Sequence, residues 1–426
     1  MIMETPKILL RKADEITAKL GEKYPDLAPF FKNCFLNTIE TTVTKLDDGG
    51  YFVITGDIPA MWLRDSTAQL TPYIRYAAED EELKEILRSV IARQAGFVCL
   101  DAYSNAFNAV ANSKSHKDNT DFSHELIWER KYEVDSLCAP LFLAYSYYKA
   151  TLDDLIFTDE FHTMIERIVE VFKVEQNHFG LSKYYFKREN CPETDTLPGE
   201  DGRGNEVAYT GMTWSGFRPS DDRCKYGYLV PANMMAVCAL KMAAEMANEG
   251  YEDTKLESEC RSLAYDIDEA IKEHGVYEHE KFGKMFVYET DGKGNMLLMD
   301  DANSPSLLAA PYIGYVKNDD PVYLNTRKFI LSANNPWYFE GAAARGVGSP
   351  HTGANRIWHI ALTMQALTSD DEAEINECLK MLTTTDAGTH LMHESFDKDD
   401  ATEFSRPWFA WANSLFAELL IRLADK

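Results

Sequence analysis

Four stretches of the chain set carboxylates and guanidinia beside tryptophan. They are Met61-Trp62-Leu63-Arg64-Asp65-Ser66, Trp128-Glu129-Arg130-Lys131-Tyr132-Glu133-Val134-Asp135, Thr213-Trp214-Ser215-Gly216-Phe217-Arg218-Pro219-Ser220-Asp221-Asp222, and His393-Glu394-Ser395-Phe396 followed by Ser405-Arg406-Pro407-Trp408-Phe409-Ala410-Trp411-Ala412-Asn413. An indole offers a flat apolar face with one donor, and a carboxylate or guanidinium offers paired polar contacts. A pyranose matches that mixture, with an apolar face and an equator of hydroxyls. Two carboxyls flanking a glycosidic bond supply its hydrolysis, one as proton donor to the departing oxygen and one to activate the nucleophile. Each stretch also has an ordinary reading. Asp65 and Ser66 could cap a helix, Glu129, Arg130 and Asp135 could form an ion-pair network at a helix start, Asp221 and Asp222 a polar turn, and Glu394 a solvated loop position. Recurrence of the theme favours chemistry.

These stretches must be positioned by helices, because apolar periodicity near 3.6 dominates the chain. It predicts helices near 6–21, 24–45, 66–80, 82–100, 131–151, 154–175, 229–249, 253–273, 303–313, 322–333, 353–368, 371–385 and 406–425. Some links are very short, at 78–81, 151–154 and 368–371, where Asp or Ser can cap the next helix. Others, at 46–65, 101–130, 176–228, 274–302, 334–352 and 386–405, are long and rich in Gly, Pro, Asp, Asn, Trp and Tyr. Loops of that length bind something or contain small strands. Tyr51 to Pro59 and the pieces around 284–300, turning at Asp291-Gly292-Lys293-Gly294, read as short hairpins. Helical hairpins with long loops gathered at one end predict an all-α fold, an (α/α)6 barrel or toroid, as a single catalytic domain over 1–426. The competing organisation is two helical domains cut near 190–205, where the composition is linker-like.

The balance of 43 Lys and Arg against 69 Asp and Glu gives a net charge of −26. Such a surface repels nucleic acid and anionic membranes, and no Lys/Arg-rich cluster offsets it, so neither is an expected partner. No obligate protein partner is evident. The N-terminal residues lack the apolar core of a signal peptide, and no run approaches eighteen apolar residues. The eight cysteines include no CxxC pair and read as thiols in a reducing compartment, so a cytoplasmic location is expected.

Four strings carry a family resemblance: Gly56 to Ser66 (GDIPAMWLRDS), Thr210 to Ser215 (TGMTWS), Arg218 to Asp222 (RPSDD) and Met392 to Phe396 (MHESF). They resemble glycoside hydrolase family 125, and the similarity extends over essentially the whole chain. The resemblance implies an (α/α)6 barrel and an inverting exo-α-1,6-mannosidase acting on nonreducing terminal mannose of oligosaccharides or N-glycan fragments, without a metal or other cofactor. It implies Asp221 as general acid and Glu394 as general base. Asp222 is the alternative acid, because adjacent carboxylates cannot be ranked from sequence. It further implies that Arg64, Asp65 and His351 contact the terminal mannose, with Trp62, Trp214, Glu129 and Arg345 lining or supporting the pocket.

An inverting mechanism places a water between base and sugar, so the two carboxyls should stand about 6.5–9.5 Å apart. Asp221 must carry a proton when substrate binds, although a free Asp has a pKa of about 4. Asp222, or burial against Trp214 and Phe217, could raise it. Trp337-Tyr338-Phe339-Glu340-Gly341 and the glycines to Gly348 could be a wall of the pocket, a lid, or core packing. Other motifs are weak: Asp291 to Asn295 lacks the ligands of an EF-hand, His390 and His393 lack a zinc-protease pattern, and no Walker or dinucleotide glycine motif occurs. Fold and aromatic loops also suit an epimerase or a different exo-glycosidase, and a noncatalytic sugar-binding protein would need the tryptophans without two opposed carboxyls.

Overall fold

The computed structural model describes residues 4–116 and 118–426. Among them are thirteen α-helices: α1 (Lys7–Lys23), α2 (Ala28–Thr41), α3 (Leu63–Ile74), α4 (Glu81–Leu100), α5 (Val134–Thr151), α6 (Asp159–Glu175), α7 (His178–Leu181), α8 (Val230–Tyr251), α9 (Thr254–His274), α10 (Pro321–Ile330), α11 (His359–Leu367), α12 (Glu372–Thr384) and α13 (Ala410–Ala424). Two of the three short links start the next helix from the expected cap; α6, predicted from 154, begins only at Asp159. Asp80 accepts from Leu83 N–H at 2.9 Å to start α4, and Asp371 accepts from Ala373 N–H at 2.9 Å to start α12. In the link at 151–154, Asp153 caps a short 3-10 turn, and Thr158 is the residue that caps α6.

Two kinds of helix alternate along the chain. In α9 the buried residues Leu256, Cys260, Leu263, Ala264, Ile267, Ala270 and Ile271 form one stripe, as in a helix with one face in water. Its partner α8 is buried almost continuously from Val230 to Leu240, as a helix surrounded by protein must be. The contacts follow the same division: α8 packs on α9, α3 on α5, α5 on α8, α11 on α12 and α13, and α13 on α2 and α3. A cavity of about 230 Å³ is lined by Thr67 and Thr71 of α3, Phe142 of α5, Met235 of α8, Tyr312 and Ile313, Met364 of α11 and Leu415 of α13. One hydrophobic core cluster runs from Ile8 to Ala424.

The expected helix over 303–313 is absent, and the segment is a series of turns. Pro305 and Pro311 remove backbone donors that a helix there would use. The Asp300 carboxylate instead accepts from Leu307 N–H and Leu308 N–H, both at 2.9 Å, and fixes the turn. The predicted helix over 353–368 begins later than its periodicity suggests, because Arg356–Trp358 is a strand.

Short sheets occupy the long loops. Tyr51–Val53 pairs with Val43–Lys45, and Glu289–Thr290 forms the predicted hairpin with Met296–Leu297. Gly283–Phe286 pairs backward with Val276–His279 rather than forward. Three pairings matter for the site. Met61–Trp62, Ala106–Phe107 and Ile127–Glu129 form one sheet; Tyr228–Leu229 joins Glu289–Thr290; and Arg356–Trp358 pairs with Ser395–Asp397. The chain's two ends are tied together: Gly56 bridges Phe409, Ala410 N–H donates to Thr55 O at 3.1 Å, and Thr38 and Ser414 hydroxyls lie 2.9 Å apart.

Candidate active site

A cavity of about 400 Å³ is lined by Trp62, Arg64, Asp65, Glu129, Asp221, His351 and Glu394, together with Trp128, Trp411, Phe409, Lys131 and Arg406 among others. Its size lies in the range of small-ligand sites. Seven of the nine residues expected at the site therefore meet in one place, although they come from loops spread between positions 62 and 394.

The first sheet sets one wall. Trp62 opposite Ala106, and Ala106 opposite Glu129, bring Asn105 and Glu129 beside the start of α3. Trp62 is the N-cap of α3 and makes no side-chain cap, so Asp65 in the first turn is free to face the cavity, and Ser66 Oγ donates to Trp62 O at 2.7 Å. The helix-cap reading of Asp65 and Ser66 does not hold. Arg64 is buried and surrounded by carboxylates. Its Nη1 lies 2.5 Å from Glu133 Oε2 and 3.1 Å from Asp135 Oδ2, and its Nη2 lies 3.6 Å from Asp65 Oδ2 and 3.7 Å from Asp221 Oδ1. Burial pushes Asp65 up to about 6, against the pull of Arg64.

The 128–135 stretch is divided between site and scaffold. Glu129 and Lys131 line the cavity, while Arg130 turns away to Asp101, 2.8 Å from its Nε, and to Asp121. Asp135 and Glu133 lie beneath Arg64.

Asp221 sits on a tight turn. Arg218 O accepts from Asp221 N–H at 2.9 Å, Arg218 N–H donates to Asp222 O at 2.8 Å, and Asp221 has a left-handed φ of 68°. Aspartate tolerates that region better than most residues, and sparsely populated backbone angles gather at functional sites. Glu289 holds the turn from below: its Oε1 accepts from Arg218 Nε at 2.7 Å and its Oε2 from the backbone N–H of Lys225 and Tyr226 at 2.8 and 2.9 Å. Lys131 Nζ donates to Asp221 O at 2.8 Å, and Trp62 Nε1 donates to Asp221 Oδ1 at 3.3 Å.

The two adjacent aspartates separate clearly. The Asp221 side chain is 27% exposed and lines the cavity; that of Asp222 is 5% exposed and accepts from His351 Nδ1 at 3.1 Å. Burial works against a charged imidazole, but the hydrogen bond and charge of Asp222, with Glu394 and Asp221 nearby, push His351 up to about 9. The expected devices for raising Asp221 are not present. Asp222 points to His351, and Trp214 is buried behind the wall. Burial favours the neutral form of Asp221, but Lys131, Arg64 and a hydrogen bond from Glu133 hold it below the ordinary carboxylate range.

Glu394 precedes the strand Ser395–Asp397. Ser405 Oγ donates to its Oε2 at 2.8 Å, and Arg406 Nη1 lies 3.5 Å from its Oε1. Arg406 is in turn held by Asp57, 2.5 Å from its Nη2, and its guanidinium stands over the Phe409 ring. The solvated-loop reading of Glu394 therefore does not hold.

Two expected pocket residues lie elsewhere. Trp214 is 1% exposed and stacks on His178 with ring centroids 3.7 Å apart. A Cβ on Gly204 or Gly227 would meet its ring at 2.9 or 2.5 Å, so the indole is tightly enclosed. Arg345 Nη2 lies 2.5 Å from Glu377 Oε2 of α12, on the outer surface. Its place in the hairpin of Tyr338–Glu340 with Arg345–Val347 turns it outward, and Trp337, Tyr338 and Phe339 of that hairpin pack on the core rather than over the cavity.

His351 is carried by a 3-10 turn, Pro350–Thr352, whose first residue follows Ser349; Ser349 Oγ accepts from His351 N–H at 3.2 Å. Gly348 lets this turn approach the strand that pairs with the Glu394 segment, since a Cβ there would stand 1.9 Å from Arg356 O. Gly348→Ala is expected to destabilise the protein by about 1–3 kcal/mol and to lower kcat/KM, because His351 and Glu394 are displaced relative to each other. Urea unfolding together with steady-state kinetics checks both effects.

Residues without a sequence signal complete the site. Asn105 Nδ2 lies 3.0 Å from Glu129 Oε2 and 3.3 Å from both Glu133 Oε1 and Asp221 Oδ1. Among the described residues no group of three or more His, Cys, Asp or Glu is arranged to hold a metal ion, and no helix is long and apolar enough to cross a membrane.

Comparison with known proteins gives this geometry a family. A protein of Streptococcus pneumoniae, from a family of metal-independent α-mannosidases and solved in a non-productive complex with α-1,6-mannobiose, is 45% identical, with a TM-score of 0.96 over 100% of both chains. The Meiotically up-regulated gene 157 protein of Schizosaccharomyces pombe is 42% identical over 94% of this chain and 83% of its own length. A bacterial glucoamylase complexed with acarbose shares the fold at 12% identity, with a TM-score of 0.59 over 96% of this chain and 56% of that one. The family model described as metal-independent α-mannosidase (GH125) matches residues 24–421, which span every residue of the cavity wall. The chain therefore belongs to GH125, and the readings as an epimerase or a noncatalytic sugar-binding protein give way to a glycoside hydrolase, an α-mannosidase.

Proposed function

We infer that this protein is an inverting exo-α-1,6-mannosidase, with Asp221 as general acid and Glu394 as general base. The observation that carries the assignment is that Asp221 and Glu394 line one aromatic-walled cavity while Asp222 is committed to His351. Asp221 gives its proton to the glycosidic oxygen as the bond to the anomeric carbon breaks. Glu394, oriented by Ser405 and Arg406, takes a proton from the water that attacks the opposite face, so the first product is β-mannose. Arg64, Asp65 and His351 provide donors and acceptors for the hydroxyls of the terminal sugar, and Trp62, Trp128 and Trp411 provide apolar surface for its ring. The linkage is supported by the α-1,6-mannobiose bound to the pneumococcal relative.

The same reading includes a single (α/α)6 domain. It is supported by the alternation of enclosed and one-faced helices, by the cavity encircled by α3, α5, α8, the 304–313 turns, α11 and α13, and by the continuous core. A cytoplasmic location is supported by eight free cysteines, six of them buried (Cys34, Cys138, Cys224, Cys238, Cys260 and Cys378).

Incubation with α-1,6-, α-1,2- and α-1,3-mannobiose, followed by NMR, tests the function. Early β-mannose from the α-1,6 dimer is the expected result. Early α-mannose overturns inversion, and faster cleavage of another linkage overturns the assigned substrate. The state of His351 adds a pH prediction. Its cation persists through neutral pH, so kcat/KM should fall as pH rises through about 9. In Asp222→Asn the partner charge is gone and the fall should move toward the ordinary histidine value of about 6.5, which a pH profile reads directly.

A further inference from the structure

Four carboxyls face the single guanidinium of Arg64: Glu133, Asp135, Asp65 and Asp221. All four are buried or line a partly enclosed cavity; Lys131 and His351 also bear on Asp221 and Arg406 on Asp65, so Glu133 and Asp135 share Arg64, and two enclosed carboxylates against one guanidinium are costly where water is scarce. Some of these carboxyls therefore keep a proton. Glu133 is best placed to do so. Its side chain is fully enclosed, and its Oε2 is occupied by Arg64 Nη1 at 2.5 Å and Ser136 Oγ at 2.7 Å. Its other oxygen, Oε1, lies on the side of Asp221, and Asn105 Nδ2 stands 3.3 Å from Glu133 Oε1 and 3.3 Å from Asp221 Oδ1. The shared amide sets the two carboxyls side by side, and a neighbouring carboxylate disfavours the second charge, so a proton held by the pair is favoured.

We propose that Glu133 is a positioning residue for the acid step, holding on Oε1 the proton that Asp221 delivers to the departing oxygen. This rests on the reading of Asp221 as the acid. In the free protein the proton stays with Glu133, whose O–H donates to the Asp221 carboxylate. Burial holds Glu133 well above the ordinary range despite Arg64, and the negative charge of Asp221 adds to the effect. Substrate in the cavity removes water from the exposed edge of Asp221 and makes its charged form less favourable, and the proton crosses to Asp221. The bond from the anomeric carbon to the leaving oxygen then breaks, its electron pair staying on that oxygen, which takes the proton from Asp221. The attacking water bonds to the anomeric carbon and gives its proton to Glu394. After the products leave, Glu394 releases that proton to water and the Glu133–Asp221 pair takes one up through the exposed edge of Asp221, so no proton is gained or lost over the cycle.

Glu133→Gln preserves shape and a donor to Asp221 but carries no transferable proton. Its kcat on α-1,6-mannobiose should fall by about 10²–10⁴-fold, the usual contribution of general acid catalysis. On α-mannosyl fluoride, whose leaving group needs no proton, the loss should be at least about ten-fold smaller. A purely structural role for Glu133 would lower both rates together. Equal losses on the two substrates, or wild-type rates on both, overturn the proposal. If the Gln variant does not fold, Asn105→Ala, which removes the amide linking the two carboxyls, should give the same selective loss, and a parallel loss overturns the proposal in that variant too. Failure of the wild-type protein to cleave α-1,6-mannobiose would instead overturn the underlying function, so the two failures are distinct.

Discussion

Asp221→Asn is expected to hydrolyse α-1,6-mannobiose about 10²–10⁴-fold more slowly than wild type while binding it nearly as well. The amide keeps the volume and a hydrogen-bond donor at the position that faces the cavity, but it has no proton to give to a sugar leaving group whose own conjugate acid is weak. The loss should shrink on α-mannosyl fluoride. Glu394→Gln makes the complementary case, because the base is needed for any leaving group when water is the nucleophile, and this variant should lose comparable activity on both substrates. Asp222→Asn separates the neighbouring carboxylates. It should raise KM and shift the pH profile through His351, while kcat on mannobiose stays well above that of Asp221→Asn. Steady-state kinetics on the two substrates, with product binding measured by calorimetry, checks the set. Near-normal mannobiose turnover in Asp221→Asn would sink its role.

Arg64→Met should cause the largest change in stability. Methionine retains the apolar stem but not the guanidinium, and the replacement strands Glu133, Asp135, Asp65 and Asp221 without the cation they share. Breaking a buried charge cluster by removing one partner costs about 3–5 kcal/mol. The pH dependence has a definite sign. Without Arg64 the raised folded-state pKa values of Glu133, Asp135 and Asp65 rise further above their unfolded values near 4, and the depressed value of Asp221 moves up, so the folded form prefers these groups protonated. The deficit should therefore be small at acid pH and grow as pH rises through the raised values. Urea unfolding of both proteins at pH 5 and pH 8 reads this directly, and a deficit that is equal at the two values would show that packing, not charge, is what Arg64 provides. Lys would not substitute well, since one ammonium cannot reach in two directions as the two Nη atoms do.

What could be read in advance follows physical range. Helix periodicity and caps are local, so α4, α9 and α12 were legible to within a residue or two, with Asp80, Asp253 and Asp371 as their caps. The segment 303–313 misled because its apolar run, Leu307 to Ile313, reports burial, and a turn fixed by Asp300 buries such a run as well as a helix does. Tryptophan beside charge located the right loops but did not rank the indoles. Trp214 is spent on stacking with His178, whereas Trp128 and Trp411 reach the cavity. Arg345 needed its hairpin register to be placed outside. Asn105 carries no local signal, because a single amide matters only through partners far away in sequence. Glu133 stood in a conspicuous string, yet the importance proposed for it comes from Asp221, which adjoins it from a loop far away in sequence.

The tie between the two ends of the chain sets an order of events during synthesis. Trp62, Arg64 and Asp65 emerge early and Asp221 midway, but the surface that receives them includes Phe409 and Trp411, and α13 must dock on α2 and α3 behind them. Thr55 and Gly56 find their backbone partners only in the segment around Phe409. A nascent chain that does not yet include the segment from Phe409 through α13 thus has an exposed flank on α2 and α3 and no closed sugar pocket, whatever the state of its middle. Closure waits on a contact between chain segments separated by nearly the whole sequence, which is the slow kind of folding step. The sugar pocket is therefore complete only once α13 and the segment before it have docked.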